Sequence, residues 1–386
     1  MTARGTALPI KQIVGLFSEL LGVGGVQEAG RLTAAALQEI ASSRGWTADL
    51  LSLNDSLGRH TFDVGVHSVS FRGFRRAKMQ FVLAGIRRAR SLRGGSANIV
   101  IAAHPNLALP ASWLRRSRPN LKMIVMSHGV EVWRPLPRLR RRALASADIL
   151  LAPSSDTAQK LVSVQGVAPA KVRTLAWPIS PVFLQMADEP ERLPLPAGFP
   201  QGRVILTVGR WVASERYKGA DDLIRGVAQL RQEIPNLHLV AVGGGDDLPR
   251  LRRLAAEMAA TDCVHFLENL SREEIAACYS RAEVFALPST GEGFGLVFLE
   301  AMAFSKPIIG VSCGGTTDVV VDEVNGLLVP PGDFQRLVRA LGRLLRDDSL
   351  RERLGRSGAE IVRRRYAFGV FQSALEKILY EVTPDS

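Results

Sequence analysis

Cysteine is scarce in this chain of 386 residues, with only Cys263, Cys278 and Cys313 present. An odd number without paired spacing argues against a disulfide scaffold, and no spacing of cysteine and histidine matches a zinc site. A reducing compartment is therefore the simplest interpretation.

Long apolar runs are also absent, since no stretch reaches 18 apolar residues, and the sequence predicts no membrane-spanning helix. The segment Ile13–Val26 is apolar enough to resemble a signal peptide. Glu19 interrupts it, however, and no small-residue cleavage site follows. We interpret it as a buried strand and loop of the mature fold, and expect a cytoplasmic protein.

Acidic residues are few in the first half of the chain. Residues 1–180 hold 25 Lys and Arg against 9 Asp and Glu, whereas residues 181–386 hold 24 against 28. The net charge of +12 indicates an anionic partner, either a nucleic acid, a phospholipid surface or a phosphorylated small molecule. The asymmetry favours two domains with different tasks.

Short apolar runs alternate with amphipathic stretches along the whole chain. The amphipathic stretches have apolar residues at intervals of three and four, as in 27–43, 221–234 and 334–346. The predicted strands are KQIVGLF, ANIVIAAH, KMIVMSHG and ADILLAPS in the first half, and RVILTVGR, LHLVAVGGG, VHFLE, AEVFALPS and KPIIGVSCGG in the second. This alternation predicts an α/β protein with two doubly wound parallel sheets.

A proline-rich stretch separates the two halves. Six prolines lie in the 23 residues from Pro178 to Pro200, too many for a helix or a central strand, so we predict a linker at 179–200. The predicted domains are 1–178 and 201–366, with a final helix in 367–386 that packs back toward the first domain. Ligands of such sheets bind beyond the carboxyl ends of the strands, so a cleft between the domains is expected.

The most informative segment is LPSTGEGFGLVFLEAMAFSKPIIG. A strand ends near Pro288, a glycine-rich loop follows, and a helix begins near Leu296 with its N–H groups directed at any ligand there. Glu292 in the loop and Glu300 in the helix suit the recognition of hydroxyl groups, because carboxylates accept several hydrogen bonds. The plain alternative is a strand, a turn and a helix with a glutamate cap.

A second segment, ILTVGRWVASERYKGADDLIRGVAQL, places Arg210 at the end of a strand and Lys218 at the start of a helix. Arginine and lysine at these positions are suited to a diphosphate, and the alternative is two solvated cations. In the first half, MIVMSHGVEVW delivers His128 into a loop at a strand end, and Gly25 lies in the glycine-rich turn after the first strand. For these two residues the alternatives are a structural histidine and a tight turn.

The strings GGV, SHGVEVW, VGRWVASERYKG, VGGGDD and EGFGLVFLE occur in the order found in retaining glycosyltransferases of family 4, and the chain resembles that family along essentially its whole length. The resemblance implies the GT-B fold, with two Rossmann-like domains facing across a cleft. It also implies transfer of a hexose from a UDP- or GDP-sugar with retained configuration, without an obligatory metal or other cofactor.

The resemblance further implies a role for each matching residue. Arg210 and Lys218 would bind the diphosphate, Glu300 the ribose, and Glu292 with the backbone of Phe294, Gly295 and Leu296 the donor sugar. His128 would contact the transferred sugar, Gly25 would approach the diphosphate from the first domain, and the segment 265–267 would lie near the base. The gap between Arg210 and Lys218 is longer than usual in the family, which makes Arg216 a candidate substitute ligand.

The basic first half suggests where the acceptor is found. The stretch 71–93 has eight Lys and Arg and no acid, and apolar residues recur within it at helical intervals, as in a basic amphipathic surface helix. We expect peripheral binding to the inner face of an anionic membrane, with a glycan or a polyprenyl-diphosphate-linked molecule as acceptor, as in cell-surface polysaccharide synthesis. Ordinary solvated helix faces are the alternative.

Two further readings remain open. One is another GT-B enzyme, such as a nucleotide-sugar epimerase or a phosphorylase. The other is a basic nucleic-acid-binding protein, but no nucleic-acid motif or aromatic stacking platform supports it, and we expect no nucleic-acid partner.

Overall fold

A computed structural model of the chain describes residues 12–91 and 98–383. The chain divides into two compact units. The first is formed by the residues up to Pro178 together with those from Phe368 onward, and the second by Ile179–Ala367.

The first unit is built on an eight-stranded sheet in the order β3-β4-β2-β1-β5-β6-β7-β8. Its strands are β1 Gln12–Phe17, β2 Thr47–Ser52, β3 Gly58–Val64, β4 His67–Gly73, β5 Asn98–Ala102, β6 Lys122–Met126, β7 Ile149–Ala152 and β8 Val172–Thr174. Its first five helices are α1 Gly25–Arg44, α2 Lys78–Ser91, α3 Ala108–Ser117, α4 Arg138–Ala145 and α5 Ser155–Ser163. Only the β3–β4 hairpin is antiparallel among the strand pairs of the described residues.

Burial explains this arrangement. Strands β5 and β7 are buried at every position, as expected for central strands covered by helices on both faces. Outside the β3–β4 hairpin, neighbouring strands of this sheet run parallel, so their carboxyl ends lie at one edge. The loops after β1, β5 and β6 therefore meet at that edge of the sheet.

A helix from the far end of the chain completes the first unit. Helix α14, Phe368–Val382, packs against α1. The Trp46 and Tyr380 rings lie edge to face with centroids 5.3 Å apart, and Glu376 and Glu381 pair with Arg44 and Arg173. The last helix therefore belongs to the same compact body as the start of the chain.

The second unit has a six-stranded parallel sheet in the order β11-β10-β9-β12-β13-β14. Its strands are β9 Arg203–Val208, β10 Leu237–Val242, β11 Val264–Leu267, β12 Val284–Leu287, β13 Ile308–Val311 and β14 Gly326–Val329. Its helices are α6 Pro181–Asp188, α7 Ala220–Leu230, α8 Leu248–Glu257, α9 Arg272–Arg281, α10 Leu296–Ala303, α11 Thr316–Val319, α12 Phe334–Arg346 and α13 Asp348–Arg365. This is the 3-2-1-4-5-6 order of a Rossmann fold.

Two sequence expectations need correction. The proline-rich stretch does contain a helix, α6, because Pro181 occupies its first turn, where a missing N–H costs nothing. The basic stretch 71–93 is helical only in α2, since Phe71 belongs to β4 and Phe74 and Phe81 are buried in the core. Leu92 and Arg93 lie outside the described residues.

Candidate active site

The predicted site residues of the second unit lie where its strand order reverses. Strands β9 and β12 are neighbours in the sheet, yet the chain leaves β9 toward β10 on one side and β12 toward β13 on the other. A Rossmann fold binds its ligand in the crevice beyond the carboxyl ends of these two strands. Loop 209–219 follows β9 and loop 288–295 follows β12, and the N–H of Thr290 donates to the carbonyl of Tyr217 at 2.9 Å.

The two predicted diphosphate ligands share one carboxylate. Glu215 pairs with the guanidinium of Arg210, and its other oxygen lies 3.3 Å from Nζ of Lys218. The side chain of Lys218 is 17% exposed and that of Arg210 is 69% exposed. Sequence reasoning missed Glu215, although it stands three residues before Lys218 in the quoted motif.

The loop after β10 fixes the loop that carries these cations. The N–H of Ala213 donates to Asp246 at 2.8 Å, and the guanidinium of Arg216 donates to Asp247 at 3.0 Å. Arg250 also binds Asp247 at 2.6 Å. Arg216 is thus engaged by Asp247, whereas Arg210 and Lys218 pair with Glu215.

Glu292 lies within the same electrostatic neighbourhood. Its burial raises the pKa of the carboxyl above the usual value, while Lys218 and a hydrogen bond from Ser289 oppose the shift. Burial also raises the pKa of Tyr217 to about 12, with the carboxylates of Glu215 and Glu292 contributing. The cluster thus brings the cations of Arg210 and Lys218 together with the carboxyl groups of Glu215 and Glu292.

The glycine-rich loop ends at the N-terminus of α10. Gly295 caps the helix with φ 88° and offers no side chain, so no side-chain cap occupies this end. The loop after β13 packs against the glycine-rich loop, and the N–H of its Gly315 donates to the carbonyl of Glu292 at 2.8 Å. A Cβ at Gly315 would lie only 2.2 Å from the carbonyl oxygen of Gly293, so this close packing requires a glycine. Phe294 is buried, and its ring lies edge to face with that of Tyr366 at 6.0 Å.

Glu300 follows on α10, and its carboxylate accepts a hydrogen bond of 2.8 Å from the hydroxyl of Tyr279 on α9. Tyr279 is another residue that sequence reasoning missed. This donor to Glu300 comes from a different helix, 21 residues earlier in the chain.

His128 lies in the first unit, directly after β6. Its Nε2 is 2.8 Å from the carbonyl oxygen of Ala103. Because a carbonyl can only accept, Nε2 carries the hydrogen and Nδ1 of the neutral ring keeps its lone pair. Nδ1 is buried and has no hydrogen-bond partner among the described residues. The ring stacks between His104 and Trp177, with centroids 5.7 and 5.2 Å away.

Gly25 also lies in the first unit, as the first residue of α1 after the loop that follows β1. A Cβ built at Gly25 would meet no protein atom within 4 Å. Local packing therefore does not demand a glycine there, in contrast to Gly315. Gly25 and His128 both follow strands whose carboxyl ends lie at the same edge of the sheet.

The remaining expectations concern the base and bound ions. Segment 265–267 forms the end of β11, whose register places Leu267 beside Val242 at the carboxyl edge, while His265 makes a 3.1 Å contact with the His238 ring. Within 12–91 and 98–383, no group of three His, Cys, Asp or Glu is placed to bind a metal ion.

Both halves of the chain match family models. The model described as "Glycosyltransferase Family 4" matches residues 23–181, and "Glycosyl transferases group 1" matches residues 197–361. A D-inositol 3-phosphate glycosyltransferase of Xylanimonas cellulosilytica is 30% identical over 326 residues, covering 78% of this chain and 76% of the relative. The chain therefore belongs to the group 1, family 4 type of glycosyltransferases.

Other relatives are similarly distant. A protein of the same name from Salinispora tropica is 31% identical over 316 residues, which cover 74% of this chain and 64% of the relative's length. A GDP-mannose-dependent alpha-(1-6)-phosphatidylinositol monomannoside mannosyltransferase of Mycolicibacterium smegmatis is 31% identical over 268 residues, covering 67% of this chain and 69% of the relative.

Solved structures show the same fold. Sucrose-phosphate synthase of Thermosynechococcus elongatus superposes with a TM-score of 0.75 at 23% identity, covering 97% of this chain and all of that one. HepE of Anabaena, solved in complex with UDP, has a TM-score of 0.70 at 16% identity and covers 96% of this chain and all of that one. The predicted GT-B fold, with two Rossmann-like units, is confirmed.

Proposed function

We propose that this protein is a retaining hexosyltransferase that uses a UDP- or GDP-sugar as donor. The observation that carries the proposal is the pairing of Arg210 and Lys218 with one carboxylate at the strand-order switch of the second unit. A diphosphate has several more acceptor oxygens than the carboxylate of Glu215, and it could bind the same side chains of Arg210 and Lys218. UDP in the HepE structure and GDP-mannose in the name of the mycobacterial relative support a donor of this class.

The chemistry follows from where charge develops. Cleavage of the bond between the anomeric carbon and the diphosphate leaves negative charge on the leaving group and positive charge on the sugar ring. Lys218, Arg210 and the N-terminus of α10 would stabilise the leaving diphosphate, an effect worth roughly several kcal/mol at preorganised sites. We propose that these protein cations take the place of a metal ion.

The other site residues orient the donor. Glu292 and the backbone from Phe294 to Leu296 would hold the sugar, and Glu300 would accept hydrogen bonds from the ribose. Nδ1 of His128 is an acceptor without a partner in the described structure, so it would accept a hydrogen bond from a sugar hydroxyl. We propose that Gly25 leaves room for the diphosphate, because no neighbouring atom requires a glycine there. Transfer would follow same-face attack, with the leaving phosphate as base.

The acceptor is proposed to be a glycan or a molecule linked to a lipid diphosphate, reached at an anionic membrane. Within the described parts of the chain, no helix has both the length and the apolar character needed to span a bilayer. Helix α3 packs between α2 and α4 in the first unit, and these three helices carry exposed Met79, Leu83, Trp113 and Leu139. No acidic residue occurs in 64–130.

Exposed basic residues lie on these three helices or just before the first of them, and each is worth about 1 kcal/mol beside an anionic leaflet. They are Arg75, Arg76, Lys78, Arg87, Arg90, Arg116, Arg138, Arg141 and Arg142. Flotation with liposomes that contain anionic lipid should recover the protein, and reversal of Arg138, Arg141 and Arg142 to glutamate should reduce recovery. Arg336→Glu, on an exposed face of the second unit, is the control. Equal recovery with and without anionic lipid would contradict membrane binding.

The donor proposal is tested by incubating the purified protein with UDP-glucose, UDP-galactose, UDP-N-acetylglucosamine and GDP-mannose. Release of the nucleoside diphosphate is followed with and without a chelator. Acceptors should include inositol 3-phosphate, named in several relatives, and short-chain polyprenyl diphosphates. The anomeric signal of the product by NMR should show the configuration of the donor. A product of inverted configuration, or turnover abolished by the chelator, would contradict the proposal.

A further inference from the structure

A buried tyrosine stands behind the carboxylate of Glu300. Tyr279 on α9 is fully buried and packs among aromatic rings. Its ring lies parallel to that of Phe304 at 6.1 Å and edge to face with that of Phe183 at 6.3 Å, and the Phe285 ring is 5.6 Å away. These contacts require an aromatic ring, and phenylalanine would supply one equally well.

The hydroxyl is the part of Tyr279 that packing does not explain. It donates to Oε2 of Glu300 at 2.8 Å, and the carbonyl oxygen of Val297 is a more distant acceptor at 3.4 Å. Both acceptors belong to α10, whereas the tyrosine belongs to α9. The hydroxyl therefore ties the carboxylate of one helix to the buried body of another.

We propose that Tyr279 is a positioning residue that fixes Glu300 for recognition of the ribose of a nucleoside diphosphate. The inference rests on the proposed function, which assigns the ribose to Glu300. A carboxylate has about four acceptor positions, so a hydrogen bond from Tyr279 is compatible with further hydrogen bonds from ligand hydroxyl groups. Binding both ribose hydroxyls at once requires a defined carboxylate plane, and a hydrogen bond from a rigid buried ring sets that plane before the ligand arrives.

The direction of this hydrogen bond is fixed by the protonation of the tyrosine. Burial raises the pKa of Tyr279 well above its usual value, and the nearby Glu300 carboxylate adds to the effect. The phenol remains protonated and donates, so the carboxylate remains the acceptor and keeps its character as a ligand for hydroxyl groups.

The test uses the full chain and whichever of UDP, GDP and ADP raises the melting temperature of the wild-type protein most. The dissociation constants of that nucleotide and of its 2′,3′-dideoxy analogue are measured by calorimetry. The constant of the analogue divided by that of the nucleotide reports recognition of the ribose hydroxyls. Tyr279→Phe should lower this ratio by about 3- to 10-fold, the effect expected for the loss of one hydrogen bond of typical net strength. Affinity for the dideoxy analogue should stay unchanged.

Two further variants separate the possible explanations. Phe183→Leu loosens the same aromatic cluster without touching the hydroxyl, and should leave the ratio as in the wild type. Glu300→Ala should bring the ratio close to one. If Tyr279→Phe keeps the wild-type ratio while Glu300→Ala loses it, the positioning role is wrong and the proposed function stands.

Two other results would overturn the positioning role. If Phe183→Leu lowers the ratio as much as Tyr279→Phe, the effect comes from packing and not from the hydroxyl. If Glu300→Ala retains the ratio, or no nucleotide binds the wild type, the assignment of the ribose to Glu300 fails, and the role of Tyr279 fails with it.

Discussion

Glu215 is the internal counter-ion of both predicted diphosphate ligands, so its neutralisation should strengthen the binding of a nucleoside diphosphate. The carboxylate and the phosphate oxygens compete for the same donors on Arg210 and Lys218. Glu215→Gln keeps the shape of the side chain and removes its charge. In this variant, Arg210 and Lys218 have no ion pair with residue 215 that a diphosphate must break when it binds.

The size of the effect follows from the distance between the charges. At 3.3 Å and an effective dielectric constant of about 20, the attraction between Lys218 and Glu215 is about 5 kcal/mol before desolvation and relaxation are subtracted. The exposed Arg210 adds little because water screens it. The net worth of charged hydrogen bonds is about 1.5–3 kcal/mol, and glutamine still accepts one, so we expect a gain of about 1–2 kcal/mol.

Isothermal titration calorimetry with UDP or GDP should show about 5- to 30-fold tighter binding to Glu215→Gln than to the wild type. The difference should shrink as salt is raised. Glu233→Gln is the matched control, because Glu233 pairs with Arg346 on another surface of the second unit. Unchanged or weaker binding by Glu215→Gln would refute the competition between this carboxylate and the diphosphate.

Three further results are expected. Lys218→Ala should weaken nucleoside diphosphate binding by about 10- to 100-fold and abolish transfer without altering the circular dichroism spectrum; wild-type turnover would contradict its role. Gly25→Val should leave the melting temperature unchanged and lower donor turnover; unchanged turnover would refute close approach. Burial and His128 lower the pKa of His104 to about 4, so unfolding free energy should fall by up to about 3 kcal/mol from pH 6.5 to 4. The side chain of His104→Asn can still accept a hydrogen bond from the N–H of Asn106, as His104 does at 3.1 Å, and this variant should flatten the pH dependence of unfolding free energy in urea titrations; an unchanged dependence would contradict it.

The sign of the His104 effect follows from proton binding. The folded protein keeps this imidazole neutral down to about pH 4, whereas the unfolded chain protonates it near 6.5. Between pH 4 and pH 6.5 the unfolded state binds more protons than the folded state. The free energy of unfolding therefore has its full value above about pH 6.5 and decreases as the pH falls below it.

Most of the strands that sequence alone predicts are buried at all or nearly all of their positions. All nine predicted strands are present, because a strand covered on both faces requires a continuous apolar run. The five missed strands are β2, β3, β4, β8 and β14. In β3 and β4 exposed positions alternate with covered ones, and β8 has only three residues, so none of these three has a continuous apolar run.

The candidate site was only partly predictable for a different reason. Arg210, Lys218, Glu292 and Glu300 stand in motifs whose local order places them in the loops after strands or in the helix that follows. Their partners do not follow from local order: the hydroxyl that binds Glu300 comes from another helix, and Asp247 reaches Arg216 from the loop after β10. Such contacts depend on the register and packing of the whole sheet, which one sequence does not specify.

A comparison of nucleoside monophosphate and nucleoside diphosphate binding shows whether Arg210 and Lys218 form a diphosphate site. If Arg210 and Lys218 bind the diphosphate, the wild-type protein should bind UDP or GDP at least about 10-fold more tightly than UMP or GMP, and raised salt should reduce the difference. The Lys218→Ala variant should lose most of that preference. Equal affinities for the mono- and diphosphates in the wild-type protein would contradict the account.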